Sequence, residues 1–92
     1  MGGVLEAAKE GRSMRFAYVL IKVERGCVHD VANQLIELEE VSEVHSISGP
    51  HDLIAKVMVP TYDDLGAAIP EKIHGLQGIR DTETRVVFNV FK

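Results

Sequence analysis

The chain is 92 residues long, 46% hydrophobic and 26% charged, which is the composition of one globular domain and excludes a disordered tail. Ten lysines and arginines against fourteen acids leave a formal charge of −4. Nucleic-acid affinity rests mainly on cations that neutralise phosphates, so direct nucleic-acid binding is not expected.

Cys27 is the one cysteine, so it has neither an intrachain disulfide partner nor a second thiol for a CxxC metal or redox motif. A lone cysteine suits a reducing compartment. No apolar run approaches the ~18 residues of a membrane span, and the first residues lack the apolar stretch of a signal peptide. The expected setting is cytoplasmic, with no membrane partner.

Residues 1–15 hold three glycines, several charges and little apolar periodicity, and read as a flexible N-terminal arm before a single domain at 16–92. Fifteen residues are too few for a groove-reading helical unit. From Phe16 to Glu24 the run FAYVLIKVE is rich in strand formers and ends on the turn signal Arg25-Gly26. Period two puts Ala17, Val19, Ile21 and Val23 on one face and Tyr18, Leu20 and Lys22 on the other. Val28, Val31, Ala32, Leu35 and Ile36 then recur at helical spacing and predict one buried stripe. That helix should end near Glu39 and Glu40, where the helix dipole disfavours anions.

Glu43 to Ser48 (EVHSIS) reads as a short strand, Gly49-Pro50-His51 as a tight turn, and Asp52 to Val59 (DLIAKVMV) as a strand stopped by Pro60. The short gap predicts an antiparallel hairpin. Thr61 is an N-cap candidate for a second helix with Tyr62, Leu65, Ile69 and Ile73 as its buried stripe. Pro70 lacks an N–H and its ring crowds the carbonyl of Gly66, so a kink or restart is predicted there. Gly75 and Gly78 close this helix. Ile79 to Phe91 (IRDTETRVVFNVF) reads as a long strand, with Val86, Phe88 and Val90 on one face and Val87 and Phe91 on the other.

The resulting βαββαβ order predicts an α+β, ferredoxin-like fold: a four-stranded antiparallel sheet with two helices on one face. The other face would carry Tyr18, Leu20, Ile54, Met58, Val87 and Phe91, interrupted by Lys22 and Lys56. So much uncovered apolar sheet is unusual for a monomer, so the fold is expected to dimerise through its sheets.

Few chemical signatures are present. There is no G-x-S-x-G element and no phosphate-cradling GxxxxGK[ST] run. His29, His45, His51 and His74 show no metal-ligand spacing, so neither a metal nor a cofactor is expected and catalysis is not the leading reading. The informative segment is Ser48-Gly49-Pro50-His51-Asp52-Leu53. A free amino acid carries an ammonium and a carboxylate, and a site for it needs an anion beside preorganised N–H donors. Asp52 supplies an anion, and Gly49 permits close backbone approach. Gly, Pro and Asp are also the default turn residues, which explains the same run without any ligand. Thr82 and Thr84 present two hydroxyls on one face of the last strand, although threonine is common in strands anyway.

From Ala17 to Phe88 the chain resembles the ligand-binding module of the Lrp/AsnC family of transcription regulators. The resemblance rests on AYVLIKVERG, EVHSISGPHDLIAKV and GIRDTETRVVF, in that order and spacing. It implies a module, often called RAM, that dimerises through its sheets and assembles into octamers of four dimers. Such modules sense small effectors, typically amino acids, at contacts between dimers near the hairpin turn. Carried over, it favours Ser48, Gly49, Pro50, His51 and Asp52, with Thr82 and Thr84 as second contributors. Family members usually carry a helix-turn-helix domain before this module, so the chain looks like a stand-alone form whose effect on DNA would be indirect, through a full-length relative or through effector sequestration.

Two other readings share the fold. A dimeric α+β barrel enzyme would gather His45, His74, Tyr18 and Asn89 around a deep cavity within one protomer. A structural partner subunit would assemble but bind no small molecule.

Overall fold

The computed structural model describes residues 14–92. Strand β1 (Arg15–Val23) is followed by helix α1 (Val28–Ile36), strand β2 (Val41–Ser46), strand β3 (Leu53–Val59), a π-helical turn at Asp64–Ala68, helix α2 (Ile69–His74) and strand β4 (Ile79–Val87). The strands lie in the order β2-β3-β1-β4, and every neighbouring pair is antiparallel. This is the ferredoxin-like βαββαβ arrangement. Most of the expected arm, residues 1–13, lies outside the described residues, while Arg15 already belongs to β1.

Alternation decides the two faces. Ala17, Val19, Ile21 and Val23 of β1 and Leu53, Ala55, Val57 and Val59 of β3 point to the helices and are buried. Val31 and Leu35 of α1, Leu65, and Ile69 and Ile73 of α2 close over them. Complete burial of such a Leu or Ile side chain contributes about 1.5–3 kcal/mol, and these residues are the main cohesive element of the fold.

Several boundaries differ from the sequence expectation. Helix α1 stops at Ile36, three residues early, and β2 starts at Val41 with an irregular register between Val41 and Glu43. Ile36 is exposed because its side chain turns away from the core, which Leu35 before it and Leu38 after it both reach. Tyr62 is also exposed: it precedes the buried turn and meets Phe88 instead, with ring centroids 6.1 Å apart. The irregularity expected at Pro70 takes the form of the π turn just before it, which runs directly into α2 at Ile69. The Ile69 N–H donates to the Asp64 carbonyl across a π turn, and the wider winding gives the proline ring room.

The largest correction concerns β4, which ends at Val87 rather than Phe91. Val87 stands opposite Phe16, near the start of β1, so only Arg15 of that strand remains beyond it for further pairing. Phe91 is therefore 96% exposed and is not part of the helix-free face. Tyr18, Leu20, Ile54, Met58 and Val87 do share that face, together with Phe16. Lys56 crosses it with its ammonium 4.6 Å from the centre of the Phe16 ring.

Candidate functional site

Residues 47–52 join β2 to β3 at one end of the sheet. The Ile47 N–H donates to the Asp52 carbonyl at 3.0 Å and closes the base of the turn. Gly49 at its tip has φ +103°, in the left-handed region that glycine enters at least cost. Ser48, Gly49 and Pro50 are exposed, whereas His51 and Asp52 are half-buried. The amide N–H groups of Ser48, Gly49 and His51 find no acceptor among the described residues.

Asp52 is held on three sides. Besides its carbonyl, its N–H donates to the Ile21 carbonyl at 2.9 Å, and its carboxylate Oδ2 accepts from the Val23 N–H at 3.0 Å. Strand β3 has ended at Leu53, so this carboxylate takes the place of a ladder carbonyl for the buried Val23. Leaving such an N–H without a partner costs about 1–3 kcal/mol.

His51 leaves the turn in another direction. Its Nε2 lies 3.8 Å from Oε2 of Glu83 on β4, the residue opposite Leu20. Arg85 pairs with the other oxygen of Glu83. The turn is thus connected across β1 to the helix-free face. Sequence reasoning did not single out Glu83, because only the strand register places it within reach of His51.

Thr82 and Thr84 occupy the helix side of the sheet, opposite Ile21 and Val19. The Thr82 hydroxyl lies 3.0 Å from Nε2 of His74 at the end of α2. Strand β1 separates these threonines from the hairpin turn, so one chain does not gather all seven candidate residues at one point.

An open cleft of 530 Å³, also not anticipated, is lined by Cys27, Asp30, Asn33, Gln34, Gln77 and Gly78. Gln34 is already engaged there with the backbone of Gln77. The residues of the enzyme reading do not converge on one cavity. Tyr18 is on the helix-free face and His45 lies on edge strand β2, its Nε2 3.0 Å from Glu43. His74 meets Thr82, and Asn89 lies beyond β4. The hydrogen bond from His45, reinforced by the charge of Lys56, holds the Glu43 carboxyl below the usual carboxylate range. Among the described residues no group of three or more His, Cys, Asp or Glu is placed to hold a metal ion, and no helix is long and apolar enough to cross a membrane.

Comparison with known proteins agrees with this fold. The family model of the Lrp/AsnC ligand binding domain matches residues 16–92. The HTH-type transcriptional regulator FL11 of Pyrococcus abyssi is 32% identical over 82 residues, 89% of this chain and 53% of that protein. The chain spans about half the length of the curated relatives it matches. The crystal structure of TTHA0845 from Thermus thermophilus is 32% identical with a TM-score of 0.78, over 85% of this chain and 98% of that one. A transcriptional regulator of Neisseria meningitidis, solved as a complex with L-methionine, shares the fold at a TM-score of 0.79 and 13% identity, over 100% of this chain and 60% of that one. With its strand order, its two-helix layer and a family match from Phe16 to the last residue, the chain belongs to the Lrp/AsnC ligand-binding domain family.

Proposed function

We propose that this domain is a non-catalytic sensor that binds a small zwitterion, an amino acid, at the β2–β3 turn and couples that binding to assembly. Two protomers would pack through the helix-free faces, and four such dimers would close into an octamer. The binding residues in this reading are Ser48, Gly49, Pro50, His51 and Asp52, with Thr82 and Thr84 contributing from the far side of β1 or from a neighbouring copy. A full-length Lrp/AsnC relative is the proposed further partner, and the setting is cytoplasmic.

The observation that carries this reading is the exposed turn, where three unpaired amide N–H groups stand beside a carboxylate fixed to the sheet. Such donors suit a ligand carboxylate. Support also comes from the Neisseria relative of the same fold, which was solved with L-methionine. Binding between copies would link effector concentration to assembly by mass action.

Calorimetric titration of the twenty proteinogenic amino acids, paired with sedimentation with and without each, tests it. Saturable heat for one or a few of them, together with a shift in sedimentation, is expected. Absence of heat with all twenty would remove the sensing role.

A further inference from the structure

We infer that Asp52 serves the proposed site as a positioning residue, which fixes the turn to the end of β1, rather than as the ligand's own counter-ion. The inference rests on the reading of the turn as a binding site and assigns one of its residues a different task.

Three hydrogen bonds carry it. The Asp52 carbonyl closes the turn on Ile47, its N–H reaches the Ile21 carbonyl, and its Oδ2 holds the Val23 N–H at 3.0 Å. Val23 is also where the pairing of β1 with β4 slips, since Lys22 stands opposite Asp81 and Val23 opposite Ile79. On the β3 side the ladder has run out at Leu53. On the β4 flank the end of β1 is still held past the slip, where the Glu24 N–H donates to the Gly78 carbonyl at 2.7 Å, but on the β3 flank the Asp52 carboxylate is what pins Val23 to the hairpin.

The consequence falls on the turn. Ser48, Gly49, Pro50 and His51 hang between Ile47 and Asp52, so the direction of their amide donors depends on where Asp52 is tied. Without the carboxylate only backbone bonds tie the base of the turn to Ile21. The ligand would lose aligned donors although no group touching it had been deleted. A positioning role needs only an acceptor at Oδ2, which an asparagine carbonyl supplies. A counter-ion role needs the negative charge, which asparagine lacks.

Asp52→Asn and Asp52→Ala separate the two. One measurement is amide hydrogen exchange at Val23, with Val19 and Ile21 as internal references. The other is calorimetry with the twenty proteinogenic amino acids. Positioning predicts that Asp52→Asn keeps Val23 protection and affinity within about threefold of wild type, whereas Asp52→Ala lowers both by about tenfold or more and spares Val19 and Ile21. Equal loss of affinity in the two variants, with Val23 still protected in Asp52→Asn, would overturn the inference in favour of a counter-ion. Unchanged Val23 protection in Asp52→Ala would overturn it as well. Should no amino acid bind the wild type, the sensing role fails, and the exchange measurement still decides the part played by Asp52.

Discussion

The carboxamide of Gln34 on α1 grips both backbone groups of Gln77: Nε2 donates to the Gln77 carbonyl at 2.8 Å, and Oε1 accepts from the Gln77 N–H at 3.1 Å. This pair fastens the loop before β4 to the first helix, which are far apart in sequence. Gln34→Ala is expected to lower stability by about 1 kcal/mol, since the freed backbone groups are reached by water and recover part of the loss. Urea denaturation checks this, and an unchanged midpoint would show that the clamp contributes nothing net.

Glu40 and Lys72 tie the segment before β2 to α2, with Nζ 2.6 Å from Oε2. The hydrogen bond from Lys72 pulls the Glu40 carboxyl below its ordinary value of 4.5, against the opposing effect of partial burial. A carboxylate whose folded-state pKa is depressed stabilises the fold above its unfolded pKa and loses that contribution as pH falls through the folded value. Lys72 is half exposed, so solvent screening limits the pair to about 0.5–1 kcal/mol at neutral pH. Lys72→Met should therefore cost that amount near neutrality and nothing in strongly acid solution, as read by thermal unfolding across pH. A cost that persists unchanged into acid would assign the effect to packing of the lysine stem.

Gly78 and Gly49 both have positive φ, at +95° and +103°, but their surroundings differ. A Cβ on Gly78 would lie 3.1 Å from Cys27 Cβ and 3.1 Å from Val31 Cγ2, whereas one on Gly49 would meet open space. Gly49→Ala carries only the backbone penalty, about 1–2 kcal/mol. Gly78→Ala adds a clash against α1 and should cost about 1–3 kcal/mol more. Equal losses in the two variants would mean that α1 yields freely at Val31.

Leu20 stands between Ile54 on β3 and Glu83 on β4, in the middle of the helix-free face. If two copies meet through this face, Leu20→Asp buries an unpaired charge in each copy and should weaken self-association by at least about tenfold. Ile36→Ser alters an exposed residue on α1 and should leave association as it is. Sedimentation equilibrium reads both. A wild type that stays monomeric at micromolar concentration, or a dimer indifferent to Leu20→Asp, excludes this face as the interface.

Much of the architecture was legible in the residues because periodicity is local. The alternation of Ala17, Val19, Ile21 and Val23, and the helical spacing of Val31 and Leu35, mark buried positions whatever they pack against, and all six are buried. The element order then left few topologies, and the hairpin at Gly49-Pro50 chose among them. Glu83 escaped notice because its relation to His51 crosses an intervening strand, and no local spacing encodes that distance.

What the sequence by itself determined, then, is which side of each segment turns inward, since burying apolar side chains depends on a pattern carried within that segment. Only the tertiary structure decided where β4 ends, because a strand stops where its neighbour stops, and Phe16 is the partner of Val87 near the start of β1. It likewise decided the bond between Asp52 and Val23. The N–H that the carboxylate satisfies loses its ladder partner only when β3 runs out beside β1, a circumstance set by the meeting of two segments and by neither one alone.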